Sequence, residues 1–483
     1  MLFNSLEFLL YFPVVVGLYF LLPPRWRWLH LLVASYVFYM AWEPAYAVLI
    51  FASTVVDYTV ARAMPSTEGL RRRLLLMVSL TVNLGLLFSF KYYNLINETF
   101  QALLALVGVE WALPESNLLL PVGISFYTFQ TLAYTIDVYR HHLEPEKHFG
   151  RFALYVSYFP QLVAGPIERA GRLLPQLAAH HSWDTDRVVS GLRLMLWGLF
   201  KKVVVADRLA GLIDPVFTAP EQAGGFVVVM TTTLIGLQVY YDFSAYSDIA
   251  IGAARVMGVK LMTNFDQPYL ARSINEFWAR WHISLITWFR DYVYIPLGGS
   301  RSGKLMQYRN IMAVFVLSGL WHGAAWHFAI WGALNGVFII VGLVTGPLRN
   351  RFAEATGFAK WTRTRRVWQW STALIIVSSG HLWFRVPDVP TALTMYSNIG
   401  VGWGTLFEAT KWDALLARFG MDTTLFVGTL LLIPLAELIE FRKRHLDDRK
   451  APMWLNWVGD WVMIVGMLWL GKFTREAFVY FQF

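Results

Sequence analysis

The stretch Asn310-Ile311-Met312-Ala313-Val314-Phe315-Val316-Leu317-Ser318-Gly319-Leu320-Trp321-His322-Gly323-Ala324-Ala325-Trp326 decides what kind of chain this is. It opens a run from 310 to 345 that contains no Asp, Glu, Lys or Arg, yet carries a histidine well inside it. Crossing roughly 30 Å of hydrocarbon takes about 20 predominantly apolar helical residues, and this run exceeds that length. The rest of the chain agrees with it. Of 483 residues, 56% are hydrophobic, 16% aromatic and only 15% charged, and the mean hydropathy is +0.45. Soluble domains carry about 25% charged residues, so an ordinary soluble globular protein is excluded. A lipid-embedded body with aromatic belts at its interfaces is expected instead.

Apolar runs recur at 6–22, 29–42, 46–62, 74–97, 101–109, 118–139, 150–165, 188–206, 225–241, 310–345, 367–386, 423–440 and 454–471. They predict an all-α, polytopic helical bundle of about 11–12 membrane spans. Several runs are short or broken by Pro and Gly. Such backbone survives at membrane depth only inside protein or beside a watery cavity, so re-entrant helices are expected. The amino terminus has neither the basic start nor the small-residue cleavage site of a signal peptide, which makes 6–22 a retained first span. No internal repeat or low-complexity linker divides the sequence, so residues 1–483 read as a single domain.

Basic loops set the orientation. Arg62, Arg71, Arg72 and Arg73 form one group; Arg349, Arg351, Lys360, Arg363, Arg365 and Arg366 a second; Arg442, Lys443, Arg444, Arg449 and Lys450 a third. All three should face the cytoplasm, which puts both ends of the chain outside. These loops account for the excess of 41 Lys plus Arg over 32 Asp plus Glu, a net charge of +9. Nothing interleaves basic and aromatic residues on a soluble domain, so no nucleic-acid partner is expected.

One block departs from the pattern. From Arg255 to Arg309 the chain carries Lys260, Arg272, Arg280, Arg290, Arg301 and Lys304, with Pro268, Pro296 and the pair Gly298-Gly299, and is rich in Trp and Phe. Too charged to span and too apolar for a free loop, it reads as amphipathic helices in the cytoplasmic leaflet. Its cations either snorkel or attract an anionic cofactor arriving from the cytosol.

Ionisable groups inside apolar runs are costly and mark function. Twelve helical residues from Asn310, at about 1.5 Å each, bury His322 by roughly 18 Å, where a neutral imidazole suits a general base. The competing reading is a packed, hydrogen-bonded histidine. Gly319, Gly323, Ala324 and Ala325 clear space for a substrate or for close helix packing, and Trp321 and Trp326 can wall the site. His327 lies about 140° further round a helix of 3.6 residues per turn, unsuited to sharing a metal with His322, and reads as structural. His282, in Arg280-Trp281-His282-Ile283-Ser284, borders the amphipathic block and can turn toward the same cavity or stay interfacial. Asp242 and Asp248, beyond the 225–241 run, can polarise a histidine, ligate a cation or cap the next helix.

The chain has no cysteine, so it can form no disulfide, thiolate metal site or thioester intermediate of its own, and no metal is expected. His181-Ser182-Trp183-Asp184-Thr185-Asp186 has a His-x4-Asp spacing but sits in a polar loop without supporting motifs. Neither a Gly-x-Ser-x-Gly elbow nor a nucleotide-cradling Gly-x4-Gly-Lys loop occurs.

Three segments in order resemble the core signature of the membrane-bound O-acyltransferases: Arg280 to Ser284, then Arg290-Asp291-Tyr292-Val293-Tyr294-Ile295-Pro296-Leu297-Gly298-Gly299, then Gly319 to Trp326. The resemblance extends through Pro121-Val122-Gly123-Ile124-Ser125-Phe126-Tyr127-Thr128-Phe129-Gln130, Ala164-Gly165-Pro166-Ile167-Glu168-Arg169, and Tyr241 to Asp248, and so covers nearly the whole chain. The ending Arg475-Glu476-Ala477-Phe478-Val479-Tyr480-Phe481-Gln482-Phe483 is similar to the bacterial branch that O-acetylates alginate. The Gly165 to Ala170 stretch is shared by polysaccharide, cellulose and peptidoglycan relatives, so alginate is favoured by the ending.

The resemblance implies a multi-pass enzyme of the bacterial inner membrane, built around a central tunnel, with a catalytic core at 255–345. It implies His322 as the catalytic histidine and His282 as the second one, orienting His322 or stabilising developing charge. Trp321, Trp326, Arg280, Asp291 and Tyr294 are the substrate-binding candidates. The implied reaction takes acetyl from a cytoplasmic donor, acetyl-CoA, and passes it across the membrane to an exopolysaccharide hydroxyl or to a serine of a periplasmic SGNH-type acetyltransferase partner. The residues also admit a translocator without chemistry, or an O-acyltransferase serving cellulose, peptidoglycan or D-alanylation.

Overall fold

Lipid offers no hydrogen bonds to a backbone, so spanning segments must satisfy their own N–H and C=O groups, and apolar runs of this length become helices. The computed structural model describes residues 1–111, 113–163, 165–408, 412–420, 423–445 and 453–473, and among them no strand occurs. Ala164, Arg449, Lys450 and the ending Arg475 to Phe483 lie outside the described residues, as do the side chains of Lys443 and Arg444. The helices used below are α1 Leu6–Leu21, α2 Pro24–Met40, α3 Tyr46–Ala63, α4 Gly69–Leu87, α5 Ile124–Tyr139, α6 Thr185–Phe200, α7 Gly225–Val256, α8 Ile274–Arg280, α9 Ile283–Phe289, α10 Lys304–His322, α11 Trp326–Ala355, α12 Thr362–Arg385, α13 Thr423–His445 and α14 Met453–Leu470.

Five of the described helical segments are long and apolar enough to cross a membrane: Tyr46–Ser66, Gly69–Ala105, Gly225–Val256, Trp326–Ala355 and Thr423–Arg442. Leu6–Leu21 and Trp454–Leu470 are apolar but shorter. The chain is thus an all-α, multi-pass membrane protein. Contacts divide it into two compact units, one of Met1–Met195 with Ser247–Thr263, the other of Leu196–Tyr246 with the described residues from Asn264 onward.

In the first unit a buried carboxylate ties three helices together. Asp57 of α3 accepts from Ser79 Oγ (2.5 Å) and Asn83 Nδ2 (2.9 Å) of α4, and Thr135 Oγ1 of α5 reaches it at 3.5 Å. Arg72, expected among the retention charges, is 8% exposed. Its guanidinium donates to the carbonyls of Met64 (2.9 Å), Val138 (2.8 Å) and Tyr139 (3.2 Å), tying the turn after α3 to the end of α5.

The second unit corrects two sequence expectations. The run 310–345 is not one span: α10 ends at His322, Gly323 and Ala325 are extended (φ −157° and −148°), and α11 folds back from Trp326. The two backbones touch where glycines leave no side chain. A Cβ on Gly319 would lie 2.2 Å from Phe328 O, and one on Gly332 would lie 2.2 Å from Phe315 O. His322 therefore closes a helix at the bend of a hairpin; the twelve residues from Asn310 to His322 that the depth arithmetic counted do lie on one continuous helix. Likewise α7 runs on through Val256, so Asp242 and Asp248 sit inside a helix and cap nothing. Asp242 instead meets Lys202 Nζ at 2.9 Å, which also meets Asp207 at 2.7 Å, all three almost fully buried.

The 255–309 block forms short helices, as its composition suggests. Phe277 and Trp278 of α8 and Leu285, Trp288 and Phe289 of α9 are buried, and a π-helical turn, Arg290–Tyr294, follows. The basic residues expected in a 349–366 loop lie mostly on helix: Arg349 and Arg351 near the end of α11, Arg363, Arg365 and Arg366 at the start of α12.

The hairpin contact yields a test. Gly332→Val forces atoms into the opposing backbone and should destabilise the protein by about 1–3 kcal/mol or more, read as a lower thermal midpoint in detergent. Gly342→Val, on the same helix with nothing within 4 Å, should leave the midpoint nearly unchanged; equal effects would refute the hairpin crossing.

Candidate active site

His322, the last residue of α10, is 2% exposed, and His282 is 1% exposed. Their ring centroids are 6.4 Å apart. Aromatic rings close around them. His322 meets Trp321 at 5.0 Å, Trp331 of α11 at 5.1 Å and Phe384 of α12 at 5.3 Å, each steeply inclined at 72–87°. His282 meets Phe243 of α7 at 4.6 Å and Trp321 at 5.8 Å. Edge-to-face packing suits the ring quadrupole, and aromatic faces stabilise a cation that forms between them.

Local backbone aims His282 inward. It takes the left-handed conformation (φ 41°, ψ 54°) at the start of α9, which for a non-glycine residue costs on the order of 1–3 kcal/mol and needs outside support. Asn264 supplies it. Its carbonyl accepts from Ile283 N (2.9 Å), and its Oδ1 accepts from Ser284 Oγ (2.9 Å) and Ser284 N (3.4 Å). His282 O in turn accepts from Leu285 N and Ile286 N at 3.0 Å. His282 lies outside the spanning helices, and burial pushes its imidazole down to about 3, so it is neutral at physiological pH.

The fold brings His322, His282 and Trp321 together and arranges the remaining candidates elsewhere. Trp326 is 54% exposed. Arg280 Nη2 pairs with Glu276 Oε1 on its own helix (2.6 Å), and Asp291 Oδ1 accepts from its neighbour Arg290 Nε (2.8 Å). Tyr294 packs its ring against Gly299. Gly319 serves helix packing, and Gly323 admits the ring of Phe328, whose Cε2 would lie 2.0 Å from a Cβ there. The space these glycines clear is filled by protein. His327 is structural, with Nδ1 2.9 Å from Trp383 O, and His181 Nε2 lies 2.8 Å from Gln176 O. Among the described residues, no group of three or more His, Asp or Glu side chains could hold a metal.

Sequence reading missed Trp331, Phe384, Phe243 and Asn264, because no spacing links them to His322. It also passed over His381, a buried histidine in the apolar run 367–386.

A multi-pass helical protein with two neighbouring imidazoles in a buried aromatic box has the makings of a group-transfer enzyme of the membrane. Residues 146–382 match the model of MBOAT, the membrane-bound O-acyltransferase family. The chain is 35% identical to a probable alginate O-acetylase AlgI of Pseudomonas putida over 100% of both chains. It is 38% identical to a probable alginate O-acetylase AlgI of Azotobacter vinelandii, over 89% of this chain and 83% of that one. A peptidoglycan O-acetyltransferase of Helicobacter pylori is 31% identical over 100% of this chain and 98% of its own. The chain belongs to the membrane-bound O-acyltransferase family and is an O-acyltransferase.

The Asn264 clamp is testable. Asn264→Ala removes the Oδ1 contacts that hold the turn after His282 and should slow acyl transfer about tenfold, the effect of roughly one buried hydrogen bond, at unchanged protein abundance. Asn264→Asp keeps the acceptor oxygen and should restore most of the rate. Undiminished transfer by the alanine variant in isolated membranes would refute the clamp.

Proposed function

We propose that this protein moves an acetyl group from cytoplasmic acetyl-CoA across the bacterial inner membrane to a hydroxyl of alginate, directly or through a serine of a periplasmic SGNH-type partner. One observation carries the reading: the paired His322 and His282 rings, 6.4 Å apart and buried, in a chain 35% identical from end to end to a probable alginate O-acetylase.

In this reading His322 is the general base. The acceptor oxygen attacks the thioester carbonyl as its proton passes to a ring nitrogen of His322. The C–O bond forms, the tetrahedral intermediate expels the thiolate as the C–S bond breaks, and the imidazolium returns the proton to sulfur. No acyl group rests on the chain, consistent with the absence of cysteine. His282, neutral, donates a hydrogen bond to the carbonyl oxygen as it gains negative charge. The carbonyl end of α10 meets His322, and that end of a helix favours positive charge. Holding donor and acceptor against one imidazole supplies about 7–11 kcal/mol of proximity advantage.

With both rings buried, Trp321, Trp331 and Phe384 must part for the substrates to meet. Trp326, Arg280, Asp291 and Tyr294 are proposed to line the approach. The exposed Arg349, Arg351, Arg363 and Arg366 and the half-buried Arg365 belong on the cytoplasmic side, where the donor enters. A second reading, acetylation of peptidoglycan, draws on the Helicobacter pylori relative.

His322→Ala should abolish acetylation while the protein remains inserted and abundant; acetylated polymer from cells carrying it would remove His322 from the mechanism. Purified protein in detergent should transfer label from radiolabelled acetyl-CoA to alginate oligosaccharides, alone on the direct route or only with the SGNH-type partner added on the serine route, and retain none itself. A stable labelled chain would indicate a covalent route. A translocator would neither transfer nor hydrolyse the donor, and label moving to peptidoglycan fragments alone would favour the second reading.

A further inference from the structure

The bond from His327 to α12 has a cause in the sequence. In a continuing α-helix the carbonyl of Trp383 would accept from the amide of residue 387, but residue 387 is proline and has no N–H. Helix α12 ends at Arg385, and Val386 is extended (φ −60°, ψ 145°). His327 Nδ1 of α11 meets the orphaned carbonyl at 2.9 Å. A carbonyl only accepts, so the imidazole carries its hydrogen on Nδ1.

This bond fixes the backbone next to Phe384, whose buried ring lies 5.3 Å from His322, 5.2 Å from Trp331 and 5.4 Å from Phe328. Of the three rings that must part around His322, Phe384 is the one on a backbone that can move. Trp321 precedes His322 within α10, and Trp331 precedes Gly332, whose backbone lies against Phe315 O. Neither of those segments can shift without pulling the hairpin apart. Phe384 stands one residue from the end of its helix, beside Pro387 and Asp388, which are exposed. His327 lies near the start of α11 and Arg349 lies 22 residues on, roughly 33 Å along the axis. The bond is thus at the opposite end of α11 from the cations placed at the donor's entry.

The chemistry gives a lid a purpose. An imidazole that takes a proton from an acceptor hydroxyl can take one from water. Water's oxygen would attack the thioester carbonyl as its proton passes to His322, the C–S bond would break, and the proton would return to sulfur, leaving acetic acid and free thiol. A closed site prevents that side reaction. We propose that Phe384 is a water-excluding lid over His322, latched by the His327–Trp383 hydrogen bond, which keeps the enzyme a transferase rather than a thioester hydrolase until the acceptor displaces it. This rests on the transferase reading above. Within it Phe384 sets specificity for the acceptor over water, and His327 is a positioning residue.

Full-length protein in detergent, given acetyl-CoA and no acceptor, tests it through the acetate released. His327→Ala should raise release about tenfold, since losing roughly one buried hydrogen bond enlarges the open population by that factor. His327→Asn, whose Nδ2 stands the same two bonds beyond Cβ, should return release to the wild-type rate, which general loosening of the fold would not allow. Phe384→Leu keeps an apolar side chain but removes the ring, and should raise release as well; it carries the test if the alanine variant does not fold. Unchanged release by folded His327→Ala, or the same raised release by the alanine and asparagine variants, overturns the latch. Unchanged release by Phe384→Leu overturns the lid. Modification of His322 by diethyl pyrocarbonate, followed by mass spectrometry, reads the lid without the donor and should be faster in His327→Ala alone of the two His327 variants. Should no variant act on acetyl-CoA, the reading of the donor fails and the modification rates decide the latch by themselves: a faster rate in His327→Ala, restored by asparagine, supports it, and equal rates overturn it.

Discussion

The contact between two helix backbones at Gly319 and Gly332 governs the rest of the second unit. Where lipid competes with nothing apolar, helices associate through close packing, and small residues permit the closest approach. Here the approach leaves less than a methyl group of room, so the register between α10 and α11 allows little slip. The register places His322 at the bend, with Trp331 of the returning helix against its ring. Phe384 of α12 packs on both His322 and Trp331, so a third helix joins the site through the same contact.

Buried charge sets the position of α7. Tyr240 donates to Glu440 (2.7 Å) and Tyr241 to Glu437 (2.9 Å). Lys201 reaches Glu440 and Ser244, both at 2.9 Å, and Lys202 joins Asp207 to Asp242. The two successive lysines lie in a π-helical segment, Lys201–Ala206, and serve different partners because neighbouring side chains of a helix point about a quarter turn apart. Breaking such pairs leaves charge stranded in a dry interior and is far costlier than their net contribution suggests. The network thus holds α7, and with it Phe243 against His282 and Gly236 beneath His381.

Much of the site was legible because ionisable residues are rare in apolar runs. His322 stood out for that reason, Trp321 as its neighbour in the chain, and His282 through the motif around it. The partners that build the box were not legible. Phe384 and Trp331 look like any aromatic residue in a membrane helix, and nothing in their spacing reports that they surround one imidazole. Arg280 and Asp291 stood out through the motifs they belong to, and what those motifs could not report is that each pairs with a near neighbour in the chain, Glu276 and Arg290. Arg72 counted as a loop charge, while its long, forked side chain turned inward to helix-end carbonyls.

By itself the sequence determined the class of the molecule: hydropathy demands helices in lipid, since no other open backbone form satisfies its hydrogen bonds there, and the ordered motifs indicate acyl transfer. Tertiary structure alone decided that 310–345 turns back at His322, because whether glycine and alanine continue a helix or break it depends on what packs against them. It also decided which imidazoles become neighbours. That follows from how separate helices are held at angstrom range, which composition and periodicity do not encode.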